Sequence, residues 1–342
     1  MKEKGKILLM NISSTAKYAL GVTAAAAMLA GCSSGASSLG PTTPSMGAQA
    51  SHGTAAATVT ARVGLVGIAM NAPRVTPDKK AAGQLLYISD DGTNDVYTYA
   101  WPKPKSITNT LTGFSEPQGA CADAKGNVWI TNTGESNVLE YNGTKQVGTL
   151  SDTGQYPVGC AVDKAGDVAV TNIVSTAGGP GTVTIFAKGK GSGKNVAITG
   201  FSRVFFGAYD KASNLWVDGD NDSSQASVAE LTNKGKVVNG TLSGASFEFP
   251  GGVNYDGKLI MVNDQDAASL YQLKKFKVVG TVSLTGATDI DQDWLDNGTS
   301  QVVGPDAGAA NVKIYPYPKG GNATTTLSGL SEPIGSVVSA KK

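Results

Sequence analysis

The sequence has 342 residues, a formal net charge of +1 at pH 7 and a single histidine, His52. The balanced charge, with no basic stripe, argues against nucleic acid as a partner. Glycine is abundant, at 44 residues, while charged residues make up only 16%, which is typical of an all-β chain with many tight turns rather than of a disordered one.

The first 31 residues have the features of a bacterial lipoprotein signal peptide. A lysine-containing start precedes an apolar run over residues 18–29 that is short for a membrane span. Leu29-Ala30-Gly31-Cys32 then matches the lipoprotein cleavage box, so we expect Cys32 to carry the lipid. The alternative is a plain secretory signal with an incidental cysteine. Since Ser33 rather than Asp follows, we expect an anchor in the outer membrane of the cell envelope, facing the periplasm or the surface.

Residues 32–80 are expected to be a flexible tether, because they are rich in Ser, Gly, Ala, Pro and Thr. Residues 58–70 alternate somewhat between apolar and polar positions, so this part either belongs to the tether or packs against the domain that follows. That domain is expected to span residues 81–342.

One phrase recurs through the domain, and its clearest copy runs from Thr110 to Tyr141. Its opening consists of Leu or Ile, then Thr or Ser, then Gly or Asp, and successive copies begin 39, 48, 44, 42 and 43 residues apart. A period of roughly 40–50 residues that holds four short strands is typical of a β-propeller blade. The copies begin at Leu111, Leu150, Ile198, Leu242, Leu284 and Leu327.

The strand pattern predicts six blades, in which the strands are lettered a to d from the axis outward. The first blade has no convincing strand a and starts at residue 85. The predicted blades cover residues 85–112, 118–150, 158–199, 205–242, 251–284 and 289–327.

The end of the chain supplies the missing strand. Ser331-Glu332-Pro333-Ile334-Gly335 repeats Ser115-Glu116-Pro117-Gln118-Gly119 almost letter for letter. We therefore predict an all-β, six-bladed propeller whose ring is closed by the C-terminal strand pairing into the first blade, which removes the exposed sheet edges. The alternative is a seven-bladed ring to which residues 58–70 contribute.

Two sets of polar residues are predicted to meet at one end of the central channel, which we call the channel mouth. The first set ends the b strands, and the second lies in the d–a connections. Such oxygen donors could bind a hard cation, or they could be turn formers repeated with the blade. The two sets are Asp90, Asn132, Asn172, Asn263 and Asp306, and Glu116, Glu248, Asp289 and Glu332.

The stretch Asp289-Ile290-Asp291-Gln292-Asp293 alternates, which predicts three carboxylates on one face of a strand. Like charges placed so close should raise the pKa values of these groups, unless a cation or water compensates them.

The a–b turns at residues 123–127, 163–167 and 210–214 resemble those of NHL-repeat and gluconolactonase-like propellers, and the resemblance extends over nearly all of residues 85–342. Enzymes of the latter kind bind a divalent cation in the channel through one Glu, two Asn and one Asp. The resemblance therefore implies a Ca²⁺ site with the residue types that Glu116, Asn132, Asn172 and Asp218 offer.

Cys121 and Cys160 lie in the strand a of consecutive repeats. An exported chain with an even number of cysteines in its body favours a disulfide between them. The alternative is two free, buried thiols.

The folded body is predicted to lack any histidine base or histidine-bound metal, because His52 falls in the tether. No nucleophile elbow of the Gly-x-Ser-x-Gly type occurs within residues 81–342, and no catalytic residue is predicted. We therefore expect a lipid-anchored binding module with a protein, glycan or small polar ligand at the channel mouth. The alternatives are a Ca²⁺-dependent hydrolase of lactones or esters, and a structural module of the envelope.

Overall fold

The computed structural model describes residues 83–341, which form 25 strands in six sheets. The first three blades contain β1 (Leu85–Asp90), β2 (Asp95–Ala100) and β3 (Ile107–Leu111); β4 (Pro117–Ala122), β5 (Asn127–Asn132), β6 (Asn137–Asn142) and β7 (Lys145–Ser151); and β8 (Gln155–Val162), β9 (Val168–Ser175), β10 (Thr182–Phe186) and β11 (Lys194–Ala197).

The next three blades continue in the same antiparallel order from the axis outward. They contain β12 (Phe201–Tyr209), β13 (Leu215–Asn221), β14 (Ala226–Leu231) and β15 (Val237–Gly240); β16 (Pro250–Tyr255), β17 (Ile260–Asp264), β18 (Ser269–Lys274) and β19 (Lys277–Thr285); and β20 (Trp294–Asp296), β21 (Gln301–Asp306), β22 (Asn311–Pro316) and β24 (Thr325–Leu327). The short β23 (Gly321–Asn322), which precedes β24 in the chain, pairs parallel with β19 and is the outermost strand of the fifth blade.

The ring closes through β25 (Pro333–Val338), which pairs antiparallel with β1 so that Leu86 faces Val338 and Ser89 faces Gly335. The first blade thus has the order β25, β1, β2, β3. The prediction of a six-bladed propeller closed by its C-terminal strand is confirmed. Six sheets complete the ring without residues 58–70, so a seventh blade is not needed.

Burial is greatest in the second strand of a blade and falls towards the outer edge, because neighbouring blades cover both faces of the second strand. All six residues of β1 are buried, as are five of the six in β5, whereas the outer strand β7 buries only Leu150. Val and Ile side chains such as Val128 and Ile130 fill the space between blades, where β-branched residues pack well on a pleated sheet.

Glycine allows the inner strands to approach one another. A Cβ atom on Gly335 of β25 would overlap the backbone carbonyl oxygen of Gln118 in β4, and one on Gly119 would lie 2.5 Å from the Val158 carbonyl oxygen in β8. Backbone atoms cannot move aside as a flexible side chain can, so the closest blade contacts require residues without a side chain.

The sixth blade departs from the predicted pattern. Its inner strand β20 begins at Trp294 rather than at Asp289. The preceding segment forms only two isolated bridges, Ile290 with Asp306 and Gln292 with Gly335. The prediction that Asp289, Asp291 and Asp293 share one face of a strand is therefore wrong. The segment forms no continuous strand, because Ile290 bridges to β21 of its own blade whereas Gln292 bridges to β25 of the first blade.

Cys121 of β4 and Cys160 of β8 form a disulfide with a Cα–Cα distance of 5.5 Å. The bond joins the inner strands of the second and third blades. Because such bonds persist in oxidising compartments, the disulfide indicates an extracytoplasmic location.

The predicted signal peptide (1–31), the lipidation site Cys32 and the tether (32–80) lie outside the described residues. Across residues 83–341 the structure contains no helix with the length and apolar character that crossing a bilayer would require.

Candidate functional site

The residues that end the b strands act first as latches for the d–a connections. Asp90 accepts hydrogen bonds from the backbone N–H groups of Ser331 (2.8 Å) and Glu332 (2.9 Å). Asn132 accepts one from the N–H of Ser115 at 2.7 Å. These side chains are almost fully buried, and their oxygens hold the turn that starts the blade, as the turn-forming interpretation requires.

The same latch occurs in the fifth and sixth blades. Asp306 accepts from Thr288 N (3.0 Å) and Asp289 N (3.1 Å), and it is also paired with Lys313. In the fifth blade the latch is Asp264, which accepts from Glu248 N at 3.0 Å. The predicted residue there was Asn263, one position too early, because the register of β17 could not be read from the sequence.

Asn263 faces the next blade instead. Its Nδ2 donates to the carbonyl oxygen of Ile290, while its Oδ1 is buried without a hydrogen-bond partner. The side chain therefore ties the fifth blade to the irregular segment of the sixth.

The four residues implied as a Ca²⁺ site differ in whether their side-chain oxygens remain free to bind a cation. Both amide atoms of Asn132 are used, since its Nδ2 donates to Asn137 Oδ1 at 3.1 Å. Asn172 lies inside β9 and not at its end as predicted, and it donates to the hydroxyls of Thr182 and Thr184. Its Oδ1 and the Oδ2 of Asp218 are buried and have no hydrogen-bond partner.

Asn172 and Asp218 therefore keep one free buried oxygen each, while Asn132 does not, so the set fits a cation only in part. Glu116 lies in a connection, with its backbone at φ = 53° and its N–H bound to Asn94 Oδ1. Among residues 83–341, no three carboxylate, histidine or cysteine side chains converge as a metal site would require. This finding does not cover a set that includes two asparagines, so Ca²⁺ binding stays a prediction.

Four carboxyl groups at the junction of the sixth and first blades form what we call the acidic mouth cluster: Asp91, Asp289, Asp291 and Glu332. Burial raises the pKa of Asp91 to about 7, helped by the charges of Glu332, Glu116 and Asp90. Burial, followed by the charge of Asp289, holds the pKa of Asp291 well above its usual range.

The other two members behave in the same way. The pKa of Asp289 is raised by burial and then by Asp306, and that of Glu332 is raised by burial and then by Asp90. The expectation that neighbouring carboxylates raise these pKa values therefore holds, since Asp289 helps to raise the pKa of Asp291 and Asp306 that of Asp289, although the two residues do not lie on a strand.

Asp293, the third member of the alternating stretch, points into the fifth blade instead. Its Oδ2 accepts a hydrogen bond from Asn254 Nδ2 at 2.9 Å, while its Oδ1 is buried without a hydrogen-bond partner. Burial raises the pKa of Asp293 to about 8. Asp218 is also fully buried, and its pKa is raised mainly for the same reason. Both carboxyls are thus interior groups rather than lining of the mouth.

Gln292 was not singled out from the sequence, yet it joins three blades. Its Nε2 donates to the Ala120 carbonyl oxygen at 2.9 Å, and its Oε1 accepts from Ala120 N at 3.0 Å and Ser336 N at 3.2 Å. No repeat pattern marks this residue, because its role arises only where the ring closes.

A cavity of ≈ 200 Å³ lies beside Gln292, towards the end of the channel opposite the mouth. Its wall combines the disulfide with small residues on one side and aromatic residues on the other. We call it the turn-side cavity, because the a–b turns surround it. Residues that define it are Cys121, Cys160, Tyr209, Tyr255, Gln292 and Trp294.

Comparisons with known proteins support the fold and nothing finer. No family model matches the chain, and no curated protein sequence matches it. Among solved structures, a chain of a nidogen/laminin complex is similar over 76% of this chain and 100% of its own, with 12% identity and a TM-score of 0.61.

A Bacteroides caccae protein of unknown function is similar over 75% of this chain and 99% of its own, with 14% identity and a TM-score of 0.58. A protein of unknown function from Desulfotomaculum acetoxidans covers 75% of this chain and 99% of its own, with 9% identity and a TM-score of 0.52. Likeness at such low identity shows a shared β-propeller fold, a fold that serves many functions.

Proposed function

We propose that this protein is a lipid-anchored binding module of the cell envelope that holds a ligand at its channel mouth and does not transform it. The observation that carries the proposal is the acidic mouth cluster. Asp91, Asp289, Asp291 and Glu332 raise one another's pKa values or lie beside further carboxyls that do so. A positively charged ligand would relieve this repulsion when it binds.

The ligand favoured by this chemistry is a cationic group, either a small cation or the amine or guanidinium of a partner. The probe is trilysine, titrated calorimetrically into the protein at low ionic strength, where screening is weak. The test variant carries Asp289→Asn and Asp291→Asn, which removes two carboxyl groups from the mouth.

The matched control carries Glu140→Gln and Glu230→Gln, which also removes two carboxyl groups, but from the third strands β6 and β14. We expect about tenfold weaker trilysine binding for the mouth variant and unchanged binding for the control, which is the effect of losing one to two charge-assisted contacts. Equal weakening in both variants, or no binding by the native protein, contradicts the proposal.

A second candidate, a Ca²⁺-dependent hydrolase of lactones or esters, is supported by the free buried oxygens of Asn172 and Asp218. Bound Ca²⁺ would supply a Lewis acid for a carbonyl. The test is thermal unfolding with EDTA and then with CaCl₂, because an ion that binds only the folded protein must stabilise it. An unchanged melting temperature in both cases excludes this candidate for the wild type, and Asp218→Asn should abolish any shift that is seen.

The lipid anchor is tested separately. We expect the wild type in the membrane fraction and a Cys32→Ser variant in the soluble extracytoplasmic fraction, because one bilayer-inserted acyl anchor would be lost. A variant that stays with the membrane contradicts anchoring through Cys32. If the anchor is confirmed but no ligand binds at the mouth, the structural envelope module becomes the better description.

A further inference from the structure

The turn-side cavity is separate from the channel mouth and differs from it in chemistry. It is lined by inner-strand residues of the second to sixth blades, and none of its lining residues carries a charge. A charged ligand would lose its hydration there without gaining a partner of opposite charge, so the cavity selects against ions.

The wall of the cavity has two unlike halves. On one side the disulfide lies among small residues such as Ala122 and Ala161. On the other side Tyr209, Tyr255 and Trp294 come from the inner strands of three consecutive blades. A ligand therefore meets a smooth apolar wall on one side and aromatic surface with polar tips on the other.

The polar tips on the aromatic side are free to bind. Within the described part of the chain, no hydrogen bond joins the hydroxyls of Tyr209 and Tyr255 or the indole N–H of Trp294 to another residue, and all three residues line the cavity. Burial, and then the charges of Asp163 and Asp167, raise the pKa of Tyr209, so this hydroxyl stays protonated and able to donate. Nearby, Asn297 donates to the Tyr255 carbonyl oxygen through Nδ2, which leaves its Oδ1 as an acceptor.

The other polar side chains that line the cavity, Gln292 and Asn254, do not bind these groups. Gln292 donates from Nε2 to Ala120 and accepts at Oε1 from Ala120 and Ser336, and Asn254 is occupied by Asp293 and Leu295. Specificity must therefore come from the rim residues Tyr209, Tyr255, Trp294 and Asn297.

We propose that the turn-side cavity is a second binding site, for an uncharged polyhydroxylated ring the size of a monosaccharide. One face of such a ring is less polar and can stack on the aromatic surface. Its hydroxyls can hydrogen-bond to the phenol, indole and amide groups. The volume of ≈ 200 Å³ is below the roughly 300–1,000 Å³ of sites for drug-sized ligands, and it therefore suits a single sugar ring. This site is independent of the proposed function at the mouth.

The test is ligand-observed NMR followed by calorimetry on the full-length protein, with D-glucose, D-galactose and N-acetyl-D-glucosamine as neutral probes. D-glucuronate and D-glucosamine are the charged analogues of the same ring. We expect at least one neutral sugar to bind with millimolar affinity or better, and both charged analogues to bind at least about tenfold more weakly, since a desolvated charge has no partner in the cavity.

Tyr209→Phe and Tyr255→Phe remove only the hydroxyls, and each should weaken sugar binding by about threefold to tenfold, as expected for the loss of a neutral hydrogen bond. Tyr97→Phe is the matched control, because its hydroxyl contacts Thr93 on an exposed surface of the first blade. This control should bind like the wild type.

The proposal is overturned if no neutral sugar binds, if a charged analogue binds as well as the neutral one, or if both cavity variants bind as tightly as Tyr97→Phe. A circular dichroism spectrum and melting temperature equal to the wild type in each variant ensure that lost binding reflects the cavity and not unfolding.

Discussion

Gln292 of the sixth blade hydrogen-bonds both backbone groups of Ala120 in the second blade: its Nε2 donates to the carbonyl oxygen at 2.9 Å and its Oε1 accepts from the N–H at 3.0 Å. The same Oε1 accepts from Ser336 N in β25, the strand that closes the ring. One side chain thus joins the last, first and second blades near the axis.

Replacing Gln292 with Ala should lower the free energy of unfolding by about 2–4 kcal/mol, because buried backbone groups of Ala120 and Ser336 lose their partners. Urea unfolding followed by circular dichroism measures this. Gln146→Ala is the control, since the Gln146 side chain hydrogen-bonds Thr149 on an exposed strand, and it should cost less than about 0.5 kcal/mol. Equal effects of the two substitutions would show that the hydrogen bonds of Gln292 do not add to the free energy of unfolding.

Replacing Gly335 with Ala should destabilise the protein by about 1–3 kcal/mol or more, because the added methyl would overlap the carbonyl oxygen of Gln118 in the neighbouring blade. Gly83→Ala is the matched control, since its Cβ would meet no atom within 4 Å. Thermal unfolding of both variants measures the difference. A Gly335→Ala protein as stable as Gly83→Ala would mean that the closing strand does not approach β4 so closely.

Removing the disulfide with Cys121→Ala and Cys160→Ala should cost about 2–4 kcal/mol, because 39 residues of sequence separate the two cysteines and the unfolded chain gains the freedom of that loop. Reducing agent should lower the stability of the wild type by a similar amount in urea unfolding and leave the double variant unaffected. If the reducing agent destabilises the double variant equally, the effect does not come from this bond.

Stability should fall as the pH rises from about 5 to 8. The folded pKa of Asp293 is about 8 and that of Asp91 about 7, both above an ordinary aspartate. The folded state therefore binds more protons than the unfolded chain over this window, and each such proton contributes a slope of up to about −1.4 kcal/mol per pH unit. This stabilisation is fully present below the pKa that an aspartate has in the unfolded chain. It is lost as the pH rises through the higher pKa of the folded state.

Asp293→Asn should flatten this slope and raise stability at pH 8, because the neutral amide keeps an oxygen for Asn254 and carries no buried charge. Asp256→Asn is the control, because the pKa of Asp256 is shifted in the opposite direction. Burial alone would raise the pKa of Asp256, but hydrogen bonds from Tyr317 and two backbone N–H groups hold that pKa below its usual value. Its contribution is present above the unfolded pKa and lost only as the pH falls, so the slope between pH 5 and 8 should stay as in the wild type.

Binding of trilysine at the mouth should strengthen between pH 6 and 8, because Asp91 loses its proton near pH 7 and only the charged carboxylate attracts a cation. Calorimetric titrations at fixed ionic strength check this. Asp91→Asn should bind more weakly at pH 8 and show a smaller pH dependence. An affinity that is independent of pH in the wild type would exclude Asp91 from the site.

The polar residues of the mouth show how far the sequence could be read. Their positions followed from the repeat, and Asp90, Asn132 and Asp306 do end b strands near the mouth. Whether their oxygens are free could not be predicted, since that depends on backbone N–H groups brought in by the connections. The latch Asp264 was missed because Asn263 and Asp264 are adjacent, and the choice between them depends on strand register.

The sequence by itself determined the number of blades, the strand that closes the ring and the two cysteines that could pair. Each of these follows from a local repeat or from a count of residues. Only the tertiary structure decided what Gln292 holds, where Asp293 points and which aromatic residues surround a cavity. These relationships join blades that are far apart in the chain, and no local pattern of hydrophobicity or turn residues records a contact across the axis.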